Sequence, residues 1–323
     1  MSTTSSRQLA KSWPYKRYKT FESELRAAAS EWFKKQGIPT HAKMPYYLKS
    51  NGDWPKNIIC KEVADYLERK KEQNAGKTPF LLHKYLHHGL SSQAMVFNLI
   101  GPLVVRNDIG PLKNALNDIG ISWPEGEVEL CFEYEDRTVF NEDVGQPTSI
   151  DLAVKKEEEK GGIFIEAKLA ERGFGGCSIF SRGDCDGANP TRDGFSSCYL
   201  HHIGHYYLSK LDELGFIDEN FSAGPICPLA NYYQIFREVA FALSQGGKFV
   251  LLLDERNPAF IKASSDYKKT RGLWPLLMKS VPEKHRDNIK DLSIQRVVEA
   301  IKSSGRHDDW IADFKNKYGL DKV

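Results

Sequence analysis

Two short stretches with a two-residue period stand out in a chain otherwise patterned for helices. Over residues 149–154, Ile150, Leu152 and Val154 alternate with Ser149, Asp151 and Ala153, as in a half-buried strand. Residues 155–160 (KKEEEK) are too polar to bury and run into Gly161-Gly162, which predicts a turn. Ile163, Phe164 and Ile165 then form the apolar run of a central strand, continued by Glu166, Ala167 and Lys168. The expected element is a β-hairpin. A third strand is predicted over 128–136, with Glu133 and Glu135 on the face opposite Leu130, Phe132 and Tyr134. A fourth, over 248–254, follows a whole helix and is therefore expected to run parallel to its neighbour.

The helical pattern fills most of the rest. Residues 20–33 carry Thr20 as a cap and Phe21, Leu25, Ala28, Trp32 and Phe33 as an apolar stripe, with Gly37 and Pro39 beyond. Further helices are predicted over 57–71 (closed by 73–77), 80–88, 91–104, 199–214, 231–244 and 292–303, the last capped by Ser293. Asn-Asp-Ile-Gly occurs at 107 and again at 117, which marks helix stops rather than a repeat architecture. The pattern predicts an α/β fold with a mixed central sheet of four or five strands flanked by helices. Its parts are a helical N-terminal region (1–80), a core (81–262) and a helical C-terminal segment (263–323) that completes the core, contacts DNA or dimerises.

Composition narrows the class. With 323 residues, 41% apolar and 27% charged, the chain has the make-up of a soluble globular protein. A net charge of +2 leaves any basic surface local. No apolar run reaches membrane-spanning length, and residues 1–8 lack the apolar stretch of a signal peptide. A cytoplasmic protein with no membrane partner is expected, its six cysteines reduced or metal-bound. Lys11, Lys16, Arg17 and Lys19 among Trp13, Tyr15 and Tyr18 read as a solvated tail, although this mixture also suits nucleic acid.

The hairpin carries the chemistry. Glu166 and Lys168 are two apart and share a face, and pairing brings Asp151 beside them. Two carboxylates can hold Mg²⁺, which polarises a phosphodiester, while the ammonium orients or deprotonates the attacking water or stabilises the phosphorane. An aspartate, a spacer of about fifteen residues and Glu-Ala-Lys at the end of an apolar strand resemble the PD-(D/E)XK nuclease superfamily. The residues around Gln93 and Asn98, the strand at Phe132-Glu133-Tyr134, Tyr233-Gln234 with Arg237, and the strand ending at Asp254 resemble stand-alone bacterial restriction-endonuclease-like proteins. The superfamily's usual proline before the aspartate is missing: Ile150 stands there.

The resemblance implies a restriction-endonuclease-like core and a Mg²⁺-dependent DNA endonuclease of restriction or defence, Mn²⁺ substituting. Asp151, Glu166 and the Ala167 main-chain carbonyl would bind the metal, and Lys168 would serve the water. The helix before the hairpin has no acid, so Gln93 fills that place as a neutral group, or Glu133, with Glu135 as the alternative, supplies the missing carboxylate. Gln234 is expected near the metal-bound acids. A homodimer suits cleavage of both strands at a symmetric site. Two other readings fit the same residues: a nucleic-acid-binding protein with this fold but no turnover, and a structural cysteine–metal protein.

Cys177, Cys185, Cys198 and Cys227 follow the catalytic strand, separated by seven, twelve and twenty-eight residues with no Cys-x-x-Cys. They read either as free buried thiols or as ligands of a structural Zn²⁺ or iron–sulfur cluster that pins a glycine-rich loop. His201, His202 and His205 add nitrogen ligands to that set or sit beside a phosphate. His83 and His87 have i, i+4 spacing but no acid or cysteine at a matching offset, and read as packed histidines.

Overall fold

The computed structural model describes residues 18–73, 80–143, 145–156, 160–192, 194–260 and 272–320. The first apolar stripe forms α1 (Tyr18–Lys35), which buries Tyr18, Phe21, Leu25, Ala29, Trp32 and Phe33. It begins before Thr20, so that residue is helical rather than a cap. Gly37, at φ +65°, turns the chain out of it. Where only helix was expected, a small antiparallel hairpin follows, β1 (Thr40–His41) and β2 (Met44–Leu48). The second expected helix is shorter at its start: Asn51–Asn57 is a 3-10 turn around Pro55, and α2 spans Lys61–Gln73. The expected closing segment from 74 lies outside the described residues, as does the basic, aromatic tail to 17.

Residues 80–88 are turns, not a helix. Their backbone groups bond elsewhere: Asn57 Nδ2 donates to the Leu86 and His88 carbonyls, Leu48 N–H donates to the His87 carbonyl, and Gln93 Oε1 accepts from His83 N–H. Partners distant in sequence thus replace the i→i−4 ladder. Next comes α3 (Ser92–Val105), capped by Ser91, whose hydroxyl accepts from Ala94 N–H. It is buried on every side from Gln93 to Leu103, which makes it a central helix. The short α4 (Gly110–Asn117) lies between the two Asn-Asp-Ile-Gly strings.

The main sheet begins with β3 (Glu129–Glu135), β4 (Ser149–Lys155) and β5 (Ile163–Lys168), all antiparallel neighbours. Four short helices then cross over: α5 (Ser178–Arg182), α6 (Tyr199–His202), α7 (Tyr207–Glu213) and α8 (Glu219–Ala223). The helix expected over 199–214 is thus broken, with Gly204 at φ +93° between its halves. The long α9 (Leu229–Ser244) leads into β6 (Lys248–Leu253), which pairs with β5 in parallel as expected. Both strands are almost wholly buried, as central strands covered on two faces must be.

The C-terminal segment is not purely helical. After α10 (Leu273–Ser280), β7 (Ile289–Ser293) adds a fifth strand parallel to β6, and Ser293 caps α11 (Ile294–Ser304) as predicted. The last helix, α12 (Asp308–Tyr318), packs on α1. The sheet order is therefore β3-β4-β5-β6-β7, an α/β fold with a mixed sheet. One continuous apolar core runs from Tyr18 to Leu320, so N-terminal, central and C-terminal regions share it. Among the described residues no helix is long and apolar enough to cross a membrane.

Candidate active site

The register of the predicted hairpin builds the site. Leu152 pairs with Ile165 and Val154 with Ile163, which sets Asp151 opposite Glu166. Asp151 Oδ2 accepts from Ala167 N–H at 2.7 Å. On β5, alternation sends Ile165 and Ala167 into the core and brings Glu166 and Lys168 to one side. Lys168 Nζ lies 2.6 Å from Glu166 Oε1, and both side chains are about 95% buried.

Glu133 joins from β3 by a break in the strand. Phe132 pairs with Leu152 and Tyr134 with Ile150, but Glu133 drops out of the ladder with φ +52°. A left-handed glutamate costs about 1–3 kcal/mol, a strain that concentrates at functional sites. The kink turns its carboxylate to Gln93 Nε2 (2.6 Å) and Ser149 Oγ (3.1 Å), both of which donate to it. Gln93 Nε2 also donates to the Leu81 carbonyl, tying residues 81–83 to the site. From the other side, α9 brings Gln234, whose Nε2 donates to Glu166 Oε1 at 2.8 Å.

One turn beyond Gln234, α9 supplies an acid that the sequence reading passed over. Glu238 is 1% exposed and neither carboxylate oxygen has a hydrogen-bond partner. Its signal was the i, i+4 spacing from Gln234 inside an apolar stretch. Gln93, Glu133, Asp151, Glu166, Lys168 and Gln234 all line one open cleft of about 1230 Å³, with Glu238 and Arg237. Glu135, the alternative to Glu133, does not line it, nor do His201, His202 and His205. His87 is a packed residue, its ring against Tyr47. The four cysteines after β5 line a different, much smaller cavity.

The electrostatics show a shortage of positive charge. Burial, then the Glu166 and Glu133 carboxylates, push Asp151 well above the usual aspartate range. Burial above all takes Glu133 up to about 7. Burial and Glu166 likewise raise Glu238 far above its ordinary value, against the opposing pull of Lys168, Arg237 and Gln234. Burial alone would lower Lys168, but Glu166, Glu238, Glu171 and Asp151 outweigh it, and its ammonium is held charged. Among the described residues no three histidine, cysteine or acidic side chains are already drawn together around a metal position. Mg²⁺ does not need them to be, since it keeps several waters and takes few protein carboxylates. An unpartnered buried carboxylate beside two others is a donor set that suits a hard divalent cation.

A pH dependence follows. Glu133 titrates near 7 when folded against an ordinary 4.5, so between those values the folded state holds more protons than the unfolded chain. Stability of the metal-free protein is therefore lost as pH rises through that window, and Asp151 and Glu238 act in the same direction. Thermal melts in EDTA should fall in Tm from about pH 5 to about pH 7.5, less steeply in Glu133→Gln. An equally steep fall in the variant would show that Glu133 is not the group responsible.

The chain falls in a restriction-endonuclease-like family. A family model described as restriction endonuclease associating with ARP matches residues 26–319, and the chain belongs to that family. No curated protein and no solved structure matches it.

Proposed function

We propose that the chain is a Mg²⁺-dependent DNA endonuclease of the PD-(D/E)XK type, serving restriction or defence, with Mn²⁺ able to substitute. The observation that carries this is the group Asp151, Glu166 and Lys168 at adjoining strands, with the buried, unpartnered Glu238 beside them in an open cleft. Family membership supports the nuclease class.

Asp151, Glu166 and the Ala167 carbonyl would hold the metal, and Glu238 and Glu133 are further carboxylates of the same cleft. Bound there, Mg²⁺ would polarise the phosphodiester and ease ionisation of the attacking water. The residues supply the rest. Lys168, held as an ammonium in the metal-free cleft, would stabilise charge building on the phosphoryl oxygens. Glu133, which burial raises to about 7 in the metal-free cleft, would accept the proton of water in line with the leaving 3′ oxygen. That polarity leaves a 5′ phosphate. Gln234 holds Glu166 in place through its 2.8 Å bond.

The test is incubation with plasmid and phage DNA in Mg²⁺, Mn²⁺ or EDTA. Discrete fragments that appear only with metal are expected. Tight DNA binding with no cutting under any metal would replace the endonuclease with a binding protein of the same fold.

A further inference from the structure

The chain between β5 and α9 has little to order it. Its helices are only four to seven residues long, and Gly175, Gly183, Gly187 and Gly194 turn it with positive φ. Yet four separate points of this segment meet. Cys177, Cys185, Cys198 and Cys227 all line one cavity of about 30 Å³. The other two cysteines lie elsewhere, Cys60 in the core and Cys131 on β3, and all six are free thiols.

A second observation points to anionic sulfur. Gly187 N–H donates to Cys185 Sγ at 3.3 Å. The amides of His201 and Leu200 act on Cys198, and those of Leu229 and Ala230 on Cys227, each favouring the thiolate. Every donor lies two or three residues beyond its cysteine, in the turn that follows it. Burial works against them, raising Cys198 and taking Cys227 to about 11. Without a cation these thiols keep their protons.

We propose that Cys177, Cys185, Cys198 and Cys227 bind one thiophilic divalent cation, Zn²⁺ by preference, as a tetrahedral set of four thiolates. The cavity has room for a single ion or a water or two. Four sulfur ligands select Zn²⁺ among common divalent ions and fit a closed structural site. Binding exchanges four thiol protons for the cation and leaves a site of charge −2, which the backbone amides beside Cys185, Cys198 and Cys227 partly offset. The thiols surround the cavity without yet being gathered at ligating distance, so the ion draws them inward.

The position gives the site a purpose. Cys177 N–H donates to the Ala230 carbonyl in the first turn of α9, and Cys227 stands two residues before that helix. At Gly176 a Cβ would fall 2.5 Å from the Ala230 carbonyl oxygen, so loop and helix touch backbone to backbone. The ion would staple the loop leaving Lys168 to the start of the helix that carries Gln234 and Glu238.

The test is metal content of protein purified without chelator, with Co²⁺ titration of the metal-stripped chain. About one zinc per chain is expected, retained in Cys60→Ser and Glu166→Gln and lost in Cys177→Ser and Cys198→Ser. Co²⁺ should give the intense thiolate charge-transfer absorption of a tetrahedral sulfur site, a readout that needs no folded cysteine variant. Absence of that absorption in the wild-type chain would overturn the proposal. So would brown protein with iron and acid-labile sulfide, or zinc that follows Glu166 instead of the cysteines.

Discussion

Glu166→Gln is expected to give a folded protein that cuts DNA about 10³-fold more slowly or not measurably. The substitution keeps size and shape, so the strand and its neighbours are retained. Three things change at one atom position. The carboxylate that would anchor the metal becomes neutral, Lys168 loses the negative charge facing its Nζ, and Gln234 loses a charged acceptor. Metal-ion stabilisation of a phosphoryl transition state amounts to several kcal/mol, and about 4 kcal/mol corresponds to 10³ in rate. The check is initial rates on a cleaved plasmid at saturating Mg²⁺, beside circular dichroism and DNA binding by fluorescence anisotropy. Binding should survive, because affinity for DNA comes mostly from many phosphate contacts rather than from one carboxylate. A rate within tenfold of wild type would remove Glu166 from the metal site, and with it the present reading of β5. Asp151→Asn should behave alike, since Asp151 lies opposite Glu166 on the neighbouring strand.

The parts of this site that could be read in the sequence are those set by local periodicity. Alternation over 149–154 fixed both the strand and the face of Asp151, and the apolar run Ile163-Phe164-Ile165 placed Glu166 and Lys168 at its end. The expected turn between them falls partly on residues 157–159, which lie outside the described residues, and the register itself is set by the pairing of Leu152 with Ile165. Glu238 escaped because an acid on an amphipathic helix is ordinarily assigned to water. Here it stands among Phe236, Val239 and Ala240, all buried, and only its spacing from Gln234 hinted at a role. The inward turn of Glu133 rests on one positive φ, which a glutamate does not advertise. β7 was hidden for a different reason. Only Ile289 and Leu292 of its five residues are buried, and the strand runs straight into a helix with a strong apolar stripe. Residues 80–88 lost their expected helix to hydrogen bonds from Asn57 and Gln93, partners that local pattern cannot supply.

Lys168→Met should separate catalysis from stability in a way the acid variants do not. Methionine keeps much of the buried stem and removes only the charge. In the wild-type chain the ammonium faces Glu166, Glu238, Glu171 and Asp151, and removing one partner of a buried pair costs about 3–5 kcal/mol. The deficit has a direction in pH. Without the ammonium the acids hold their protons more tightly when folded, so the variant loses stability as pH rises above their unfolded values near 4. Its Tm in EDTA should approach that of wild type at about pH 5 and fall well below it at about pH 8. Mg²⁺ should narrow that gap by supplying charge at the same place. Cleavage should not return with it: measured in single turnover at a temperature where the variant is folded, the rate should remain about 10²–10⁴-fold low. A lysine that merely balanced charge would give the opposite pairing, with Mg²⁺ restoring both Tm and cutting. That result would leave the transition state to the metal and Glu133 alone.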